Sequence, residues 1–493
     1  MSWFDKDSRM NKRGGTFIED WGHPFFHRYR ALPSVFQQIA GRVYRSLPAN
    51  WRFGLEYGKT AAMLNHSETL SREQLQEMQL VRFQELIRHA YDNVPYYRRL
   101  FDQHALKPTE ITSLTDLRKI PCLTKELVRQ HSNELLATNI PPSRRLYMNT
   151  GGSTGVPLDV YFEKGVSRSR EWAFMHTQWS RVGWREGDSS VVLRGWSVPK
   201  GIWQYEPIRR RLIMSAYHLT ETNLPVYVQK LRDFAPKFIE AYPSNLTVLA
   251  RYMQRNALPP VRSVKAILAG SENLFPVQRE LLETVFDCRV YSWYGQGEIV
   301  ALGGECEVSH DLHMFPEYGV FELLTETGDP VTTAGEIGEI IGTGFNNYAM
   351  PFIRYRTRDM GVLADGPCGC GRNYPRLTRV EGRKQELVVT NDGSVVTLTG
   401  LIFGQHFHAF SNIKRMQLVQ VALGELILRI VPDTDYSQRN DETEIRAKIQ
   451  AATGDRLKLR FDYVDDIPRT VSGKHLFLIQ ALPIDEYLGG KPF

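Results

Sequence analysis

Short β-branched runs alternate with helical patterns between about residue 124 and residue 380, and this alternation restricts the chain to a layered α/β fold. Four of the runs read SSVVLRG, KFIEAY, VKAILAG and CRVYSWYG. A polar turn follows each run, and in most cases a helical pattern such as NLTVLARYMQRN comes next. Because each strand in such a chain is covered by the helix that follows it, we expect mainly parallel strands here.

Two further segments have sequence patterns that differ from this alternation. YGVFELLTE and GEIGEIIGTGF flank a Gly-Asp-Pro turn, which predicts a β-hairpin or the edge of a small barrel. After Gly382 the order strand, strand, helix, strand predicts a small α+β unit. We therefore expect an N-terminal extension over residues 1–70, a large α/β domain with mixed sheets over 71–382, and a small, mobile domain over 383–493.

The composition is that of an ordinary globular chain and excludes several classes of protein. No stretch reaches the ~18 uninterrupted apolar residues of a membrane span, and the N-terminus lacks the apolar core of a secretory signal. Five cysteines in 493 residues do not make a disulfide framework. Basic residues beyond the N-terminal region are mixed with acids, which argues against a nucleic-acid partner. We expect a cytoplasmic protein with small-molecule substrates.

The N-terminal sixty residues carry most of the net positive charge of the chain. They hold ten lysines and arginines against five acids, out of a net charge of +6 for the whole chain. The segment HPFFHRYRALPSVFQQIAGRVYRSLP is both basic and amphipathic. Two interpretations fit this pattern. One is peripheral contact with anionic lipid or a membrane-bound partner, and the other is a helical pair packed on the main domain.

A run of small residues after Met148 has the composition of an anion-binding loop. Glycines let backbone N–H groups approach a phosphate closely, and hydroxyls add further donors. The loop suits the phosphates of ATP, although it is not a Walker A loop, because no Lys-Ser/Thr follows its last glycine. A plain turn is the alternative. The residues are Thr150, Gly151, Gly152, Ser153, Thr154 and Gly155.

Two carboxylates follow predicted strands and a lysine lies on a loop near the C-terminus. Glu298 in WYGQGE comes just after a strand end, where it suits Mg²⁺ bound to a polyphosphate. Asp359 in IRYRTRD suits a pair of ribose hydroxyls, although a structural ion pair with a neighbouring arginine is the alternative. Lys474 in PRTVSGK stands between glycine- and proline-rich positions, which places it on a loop.

Taken together, these motifs resemble a known superfamily. TGGSTG, YGQGE, YRTRD, EGR and PRTVSGK occur in this order, and the set is similar to that of the AMP-forming adenylate ligases, which include the acyl-CoA synthetases. AYDNVPYYRRLF, IPCLTKEL and the C-G-C-G run further resemble the phenylacetate–CoA ligase and coenzyme F390 synthetase-like branch, in the version associated with capsule polysaccharide gene clusters (CapK-like). The resemblance covers roughly residues 75–480.

The resemblance implies a role for each matching residue. It makes residues 71–382 an adenylation domain that binds ATP and the acid, and residues 383–493 a cap domain that carries the catalytic Lys474. It places Glu298 on Mg²⁺ as a second catalytic residue and Asp359 on the ribose. Lys474 would bridge the carboxylate and the α-phosphate, where a cation stabilises the charge of the transition state. The remaining implied nucleotide-binding residues are the loop Thr150–Gly155, Gly270, Ser271, Glu272, Tyr294 stacked on adenine, Gly295 and Arg383.

The implied reaction is activation of a carboxylic acid as an acyl-adenylate and its transfer to an acceptor. CoA is the acceptor that the resemblance favours, and a sugar amine or an amino acid, giving an amide, is the alternative. The candidates to line the acid pocket are Tyr242, Pro243 and Trp293. These residue types do not distinguish an aryl acid from an alkyl acid or an amino acid. Two departures, Gly297 in place of a hydroxyl residue and Gln385 at the usual hinge position, leave a weakly active nucleotide-binding relative as a further alternative.

Four residues have the composition of a structural zinc site. Cys306 and His313 are seven positions apart, and Cys368 and Cys370 form a C-x-C pair. Three thiols and an imidazole match the four N/S ligands of tetrahedral Zn²⁺. His310 is a rival for His313, and free buried cysteines are the alternative. We expect Cys306 and His313 on a loop after Glu298, and Gly369 to provide the sharp bend between the paired cysteines.

Overall fold

A computed structural model describes most of the chain. Its ranges are residues 33–150, 158–194, 201–220, 222–271, 276–325, 327–381, 387–397, 412–432, 436–467 and 478–483, with isolated positions between them. Within these ranges, no helix is long and apolar enough to cross a membrane.

The helices lie mainly in the N-terminal half and between the central strands. The segment from Glu73 to Arg99 lies in two helices, because Pro95 has no N–H to continue the first and takes the first position of the second. The described α-helices are α1 (Ser34–Ser46), α2 (Ala49–Phe53), α3 (Leu55–Ser67), α4 (Arg72–Asn93), α5 (Pro95–Gln103), α6 (Lys125–Gln130), α7 (Ser167–Ser180), α8 (Leu224–Phe234), α9 (Pro243–Arg255), α10 (Pro276–Phe286) and α11 (Gln438–Thr453).

The described strands fall into one large sheet, one four-stranded sheet and two hairpins. They are β1 (Arg145–Thr150), β2 (Leu158–Glu163), β3 (Ser190–Arg194), β4 (Trp203–Glu206), β5 (Arg211–Ser215), β6 (Phe238–Ala241), β7 (Ala266–Ala269), β8 (Arg289–Gly295), β9 (Leu302–Gly304), β10 (Leu312–Met314), β11 (Gly319–Leu324), β12 (Ile337–Gly344), β13 (Tyr355–Leu363), β14 (Arg376–Glu381), β15 (Leu387–Val389), β16 (Val395–Thr397), β17 (Ile413–Ala422), β18 (Glu425–Pro432), β19 (Lys458–Tyr463) and β20 (Leu478–Gln480).

The large sheet is mixed. In the described residues its order is β11-β12-β13-β14-β10-β9-β8-β7-β6-β3-β5-β4. The five neighbours β8, β7, β6, β3 and β5 run parallel to one another, as the alternating sequence pattern predicts. On the other side of β8, the strands of this sheet from β9 to β14 pair antiparallel, including the predicted hairpin of β11 and β12. The predicted α/β fold class with mixed sheets is confirmed.

The C-terminal region has its own sheet and core. Strands β19, β18, β17 and β20 form a four-stranded sheet in that order, and α11 follows the β17–β18 hairpin. Leu418, Leu428 and Ile445 are among the residues of its separate hydrophobic cluster. The predicted order of strand, strand, helix, strand is found here, with β20 added parallel to β17. The domain boundaries and the mobility of this unit stay predictions.

The described part of the N-terminal extension packs on the α/β core. Helix α3 lies against α7, and Arg170 of α7 donates two hydrogen bonds to Glu56 of α3 at 3.0 and 2.7 Å. Arg52 forms an ion pair with Glu186. These contacts agree with the interpretation of helices packed on the main domain. Residues 1–32, which hold six of the ten lysines and arginines of the first sixty residues, lie outside the described residues.

Three glycines allow the turn after β8 to lie directly on β11 and β12. A Cβ atom at Gly319, Gly342 or Gly344 would overlap main-chain atoms of Ile299 or Val300. None of the three has a positive φ, so the requirement is for space and not for an unusual backbone conformation. The close approach fixes the position of the turn that follows β8.

Ile299 itself adopts a conformation that β-branched residues avoid. Its φ is 50°, in the left-handed region, which costs an L-residue about 1–2 kcal/mol. Its N–H donates to the carbonyl of Gln296 at 3.1 Å, which closes a turn around Glu298. The side chain is 1% exposed in the main hydrophobic cluster. Burial of a side chain of this size contributes about 1.5–3 kcal/mol, so core packing holds the turn in its strained form.

Replacing Gly344 by alanine should lower the free energy of unfolding by about 1–3 kcal/mol, the usual range for overpacking, because the new methyl group meets rigid backbone. Urea denaturation of the full chain measures the loss. Gly361→Ala is the matched control, since a Cβ there meets only side-chain ends of Leu377 and Ile340. Equal losses in the two variants would contradict the importance of the close approach.

Candidate active site

The predicted phosphate-binding loop connects the two strands of a hairpin. Strands β1 and β2 pair antiparallel, with Thr150 opposite Leu158. Thr150 is the last residue of β1, and Gly151, Gly152, Ser153, Thr154 and Gly155 lie outside the described residues, as do Glu272, Arg383, Gln385 and Lys474. The roles predicted for these residues stay predictions.

The parallel strands place four residues in one row across the sheet. Leu193 is paired with Ala241, Ala241 with Ala269, and Ala269 with Ser292. The next residues along these strands therefore stand side by side at the carboxyl ends, where open α/β sheets bind ligands. The row consists of Arg194, Tyr242, Gly270 and Trp293.

Three of these residues were predicted from the sequence, and their contacts explain their types. Tyr242 is 1% exposed, and Pro243 beside it begins helix α9. Trp293 is partly buried and lies edge-on to Trp179 of α7, with 5.6 Å between the ring centroids. A Cβ atom at Gly270 would overlap the ring of Trp293, so only glycine leaves room for the indole. The next residue, Ser271, has a left-handed φ of 67°.

Tyr294 and Asp359 meet across the sheet. The hydroxyl of Tyr294 donates to Oδ2 of Asp359 at 3.0 Å, although 65 positions separate the two residues in sequence. Burial raises the pKa of Tyr294 well above its usual value, and the charge of Asp359 adds to this shift. The hydroxyl therefore stays protonated as a donor at neutral pH. The structure brings together the residues that the sequence predicts for adenine and for ribose.

A β-bulge directs Asp359 toward this site. Ile341 pairs with Arg356 and Glu339 with Met360, so β13 has two more residues than β12 in this stretch. Arg358 within the bulge has a φ of 65°. Bulges of this kind bend a strand and turn a side chain to a new direction next to active sites.

The bulge is held by charges from other elements. The backbone N–H of Arg358 donates to Glu339 at 3.0 Å, and its guanidinium donates to both oxygens of Glu126 at 2.7 and 2.8 Å. Arg356 forms an ion pair with Glu339. The arginines of YRTRD thus have carboxylate partners on other elements, and Asp359 accepts a hydrogen bond from Tyr294.

Glu298 has a neighbour that sequence reasoning missed. The hydroxyl of Tyr355 donates to Oε1 of Glu298 at 3.2 Å. Burial raises the pKa of Tyr355 well above its usual value, and Glu298 adds to the shift. Tyr355 is the first residue of the YRTRD motif that also contains Asp359, and its place in that motif could have identified it as a site residue. Its hydroxyl orients a carboxylate whose preceding residue, Gly297, has no side chain to do so.

The four predicted zinc ligands form one cluster. Their ligand atoms all lie within 4.8 Å of one another. The sulfurs of Cys306 and Cys368 are 3.7 Å apart, and the sulfur of Cys370 lies 3.3 Å from Nε2 of His313. Tetrahedral zinc with Zn–S bonds of about 2.3 Å separates two sulfurs by about 3.8 Å, so the residues fit this metal. Zinc bound here would be structural, since four protein ligands leave no open position.

His313, and not its rival His310, belongs to the cluster. Nδ1 of His313 lies 3.1 Å from the carbonyl of Asp311. A carbonyl only accepts, so Nδ1 carries the proton and Nε2 keeps a lone pair toward the cysteines. Burial lowers the pKa of His313 to about 4, which keeps the imidazole neutral. His310 contacts Glu305 instead.

One detail of the predicted cluster was wrong. His313 lies within β10, whereas Cys306 lies in the segment between β9 and β10, so only Cys306 is on a loop after Glu298. The predicted bend between the paired cysteines is present, because the N–H of Gly371 donates to the carbonyl of Cys368 at 3.2 Å and so closes a turn around Gly369 and Cys370. Gly371, which ends this turn, has a left-handed φ of 81°. Gly369 has no positive φ.

Comparison with known proteins agrees with this geometry. Residues 388–481 match the family model described as the CapK C-terminal domain. The chain is 24% identical over 461 residues to Protein CapK of Staphylococcus aureus, and the match covers 92% of this chain and 99% of that protein. Together, these matches support the CapK-like branch of the AMP-forming adenylate ligase superfamily as the family of this chain.

Other relatives in this superfamily are CoA ligases. The chain is 28% identical over 343 residues to phenylacetate-coenzyme A ligase of Escherichia coli, covering 67% of this chain and 76% of that protein. The fold is similar to that of 2-hydroxyisobutyryl-CoA ligase in complex with 2-HIB-AMP and CoA. That similarity has a TM-score of 0.57 and 19% identity, and it covers 86% of this chain and 93% of that one.

This protein, when it is purified without chelator, should contain about one Zn²⁺ per chain, as expected for four N/S ligands. Elemental analysis measures the metal. Cys368→Ser should lose most of it and unfold at a lower temperature, because metal binding contributes to folding. Cys122→Ser is the control, since Cys122 is not among the clustered ligands. Absence of metal in the wild type, or unchanged stability of Cys368→Ser, would contradict the site.

Proposed function

We propose that this chain is an ATP-dependent, AMP-forming ligase that activates a carboxylic acid as an acyl-adenylate. The observation that carries the proposal is the bond between Tyr294 and Asp359 at the carboxyl end of β8, with Glu298 four residues further along the chain. A phenol ring and a carboxylate placed together suit a nucleoside, because the ring offers a stacking surface and the carboxylate accepts from a diol. The likeness to AMP-forming CoA ligases supports the same conclusion.

Asp359 is the residue that we assign to the ribose. A carboxylate has about four acceptor positions, so accepting the Tyr294 hydroxyl is compatible with accepting ribose hydroxyls as well. The bulge fixes its direction before ATP arrives, which reduces the ordering cost of binding. Tyr294, held by the same bond, would present its ring to adenine, and Gly270 and Gly295 would border it.

Glu298 and Lys474 are the residues that we assign to the phosphates. Glu298 supplies the hard oxygen that Mg²⁺ prefers, and bound Mg²⁺ would neutralise the charge of the polyphosphate. In the proposed first step a carboxylate oxygen of the acid attacks the α-phosphorus, and the bond to pyrophosphate breaks. Lys474 would place a cation between the two anionic groups as the new bond forms.

The second step transfers the acyl group, and CoA is the acceptor that we propose. The thiolate sulfur would attack the acyl carbon, and AMP would leave with the electrons of the broken C–O bond. CoA is named in the relatives that match the chain. An amine of a sugar or amino acid is the alternative acceptor, in keeping with a role in polysaccharide biosynthesis, and a weakly active nucleotide-binding relative is the other. We propose the cytoplasm as the compartment, since this chemistry consumes ATP.

The exposed face of helix α1 is the surface on which a membrane contact would depend. Val35, Phe36, Ile39 and Val43 are each more than half exposed, and their spacing places them on one face of the helix. Arg45 reaches the carbonyl of Pro207 and so faces the α/β core. Contact with a lipid surface or a membrane-bound partner stays a hypothesis.

ATP–pyrophosphate exchange, measured with a panel of aromatic, aliphatic and amino acids, tests the proposed function. At least one acid should support exchange without any acceptor, and adding CoA to that acid should release AMP. Exchange without a CoA effect, followed by product formation with an amine, would favour the amide alternative. Absence of exchange with every acid, although ATP binds, would favour the weakly active relative.

Lys474→Ala should slow acyl-adenylate formation by at least ~10²–10³-fold while ATP still binds, because an electrostatic contact made in the transition state is lost. Single-turnover formation of the adenylate measures the rate, and equilibrium dialysis measures ATP binding. Lys458→Ala on β19 is the control, since that lysine is exposed and lies outside PRTVSGK. Wild-type speed in Lys474→Ala would refute the assigned role.

Asp359→Ala should mainly raise the KM for ATP, because the variant loses ground-state contacts to the ribose. Glu298→Gln should instead raise the concentration of Mg²⁺ needed for half-maximal turnover, since a neutral amide is a weaker ligand than a carboxylate. Steady-state kinetics with ATP and Mg²⁺ varied separately distinguish the two effects. Unchanged ATP affinity in Asp359→Ala would contradict the nucleotide placement.

A further inference from the structure

Arg194 is a fully buried arginine at the carboxyl end of β3. Its exposed fraction is 0%. It follows three apolar residues in the run SVVLR, where a continuous buried strand would normally have another apolar side chain. Arginine is almost never fully buried unless it is paired. A charge in this position therefore requires a partner or a function.

The guanidinium group of Arg194 has no hydrogen-bond partner among the described residues. Nε, Nη1 and Nη2 are all buried, and all three are unpartnered. Its one described favourable contact is with the ring of Trp293, whose centroid lies 5.5 Å from Cζ. A cation–π contact compensates part of the desolvation of a guanidinium but leaves its N–H groups unsatisfied. The site lacks an acceptor for up to five donors.

A neighbouring arginine shows how the same sheet normally neutralises such a charge. Arg211 on β5 is also buried, and its Nη2 lies 3.3 Å from Glu240 of β6. Glu240 additionally accepts from Ser190 at 2.9 Å. Both of these contacts use Oε1, and the other carboxylate oxygen of Glu240, Oε2, is buried without a hydrogen-bond partner. No bond joins Glu240 to Arg194, so no acceptor for Arg194 is found among the described residues.

The position of Arg194 identifies the part of a substrate that it would meet. It stands in the same row as Tyr242 and Trp293, the candidates for the acid pocket, and Gly270 leaves the space that lets the indole reach toward it. Strand β3 lies three strands from β8, or about 14 Å at the usual spacing. The side chain of Arg194 spans this distance to reach the ring of Trp293, and we assign it to the acid, at the end away from the carboxylate that reacts beside Tyr294.

We propose that Arg194 binds a second carboxylate at the far end of the acid, so that the enzyme selects dicarboxylic acids; this rests on the adenylation function proposed above. A guanidinium fork matches the planar geometry of a carboxylate with two parallel hydrogen bonds. Trp293 covers one face of the fork. The guanidinium, which has no hydrogen-bond partner among the described residues, gains one when such an acid is bound.

The test compares matched acids in ATP–pyrophosphate exchange with the full chain. The pairs are adipate with hexanoate and 4-carboxyphenylacetate with phenylacetate, and 6-phosphonohexanoate provides a different anion. Wild-type kcat/KM should favour the dicarboxylate of each pair by about 10- to 100-fold, the range for hydrogen bonds to a charged group. Arg194→Met should abolish this preference through KM for the dicarboxylate while it still activates the monocarboxylate.

Two further variants separate binding from a structural role. Arg194→Lys keeps a cation and should therefore keep part of the preference for dicarboxylates. If Arg194→Met does not fold, this variant tests whether the charge at position 194 determines the preference. Arg144→Met removes an exposed arginine that pairs with Glu163 on the surface and should leave the preference unchanged. A purely structural Arg194 would lower activity toward both members of a pair equally.

Each other outcome overturns a definite part of the proposal. Exchange with acids but no preference in the wild type, or a preference that survives in Arg194→Met, refutes the role of Arg194 and leaves the proposed function intact. A stronger preference for 6-phosphonohexanoate than for adipate refutes the assignment of a carboxylate. Absence of exchange with every acid refutes the proposed function, and this inference with it.

Discussion

The register of the parallel strands is the constraint on which the rest of the candidate site depends. Backbone hydrogen bonds between β3, β6, β7 and β8 bring four consecutive strand ends to the same level. A shift of one residue in any pair would move its side chain to the opposite face of the sheet. The backbone ladder thus specifies where the proposed acid pocket and the start of the proposed nucleotide site lie, and the side chains determine what each could bind.

The antiparallel half of the large sheet adds the residues that the parallel half lacks. Strand β13 brings Asp359 and Tyr355 to Tyr294 and Glu298 of the β8 end. It does so with a bulge that needs Glu126 and Glu339 from two other elements. The clustered cysteines lie in this half as well. Each half thus supplies one side of the site, and neither has a complete set of groups alone.

The sequence predicted the elements better than their contacts. The runs around β3, β6, β7 and β8 could be identified because local β-branched composition determines them, and motif order indicated Tyr294 and Asp359. The bulge could not be predicted, because the partners of Arg358 are remote in sequence. The choice of His313 over His310 follows from the pairing of β10 with β9 and β14. Arg194 was missed because its lack of a partner depends on which strands are neighbours.

The strained turn at Ile299 links the state of the core to the state of the site. Its left-handed backbone is maintained only while the side chain stays buried, so a local opening of the helical layer would relax the turn and displace Glu298 without unfolding the sheet. Local openings require less free energy than global unfolding. A ligand that needs Glu298 in place would suppress this opening by mass action. Amide hydrogen exchange around residues 296–300 would thus report occupancy of the site to which Glu298 belongs.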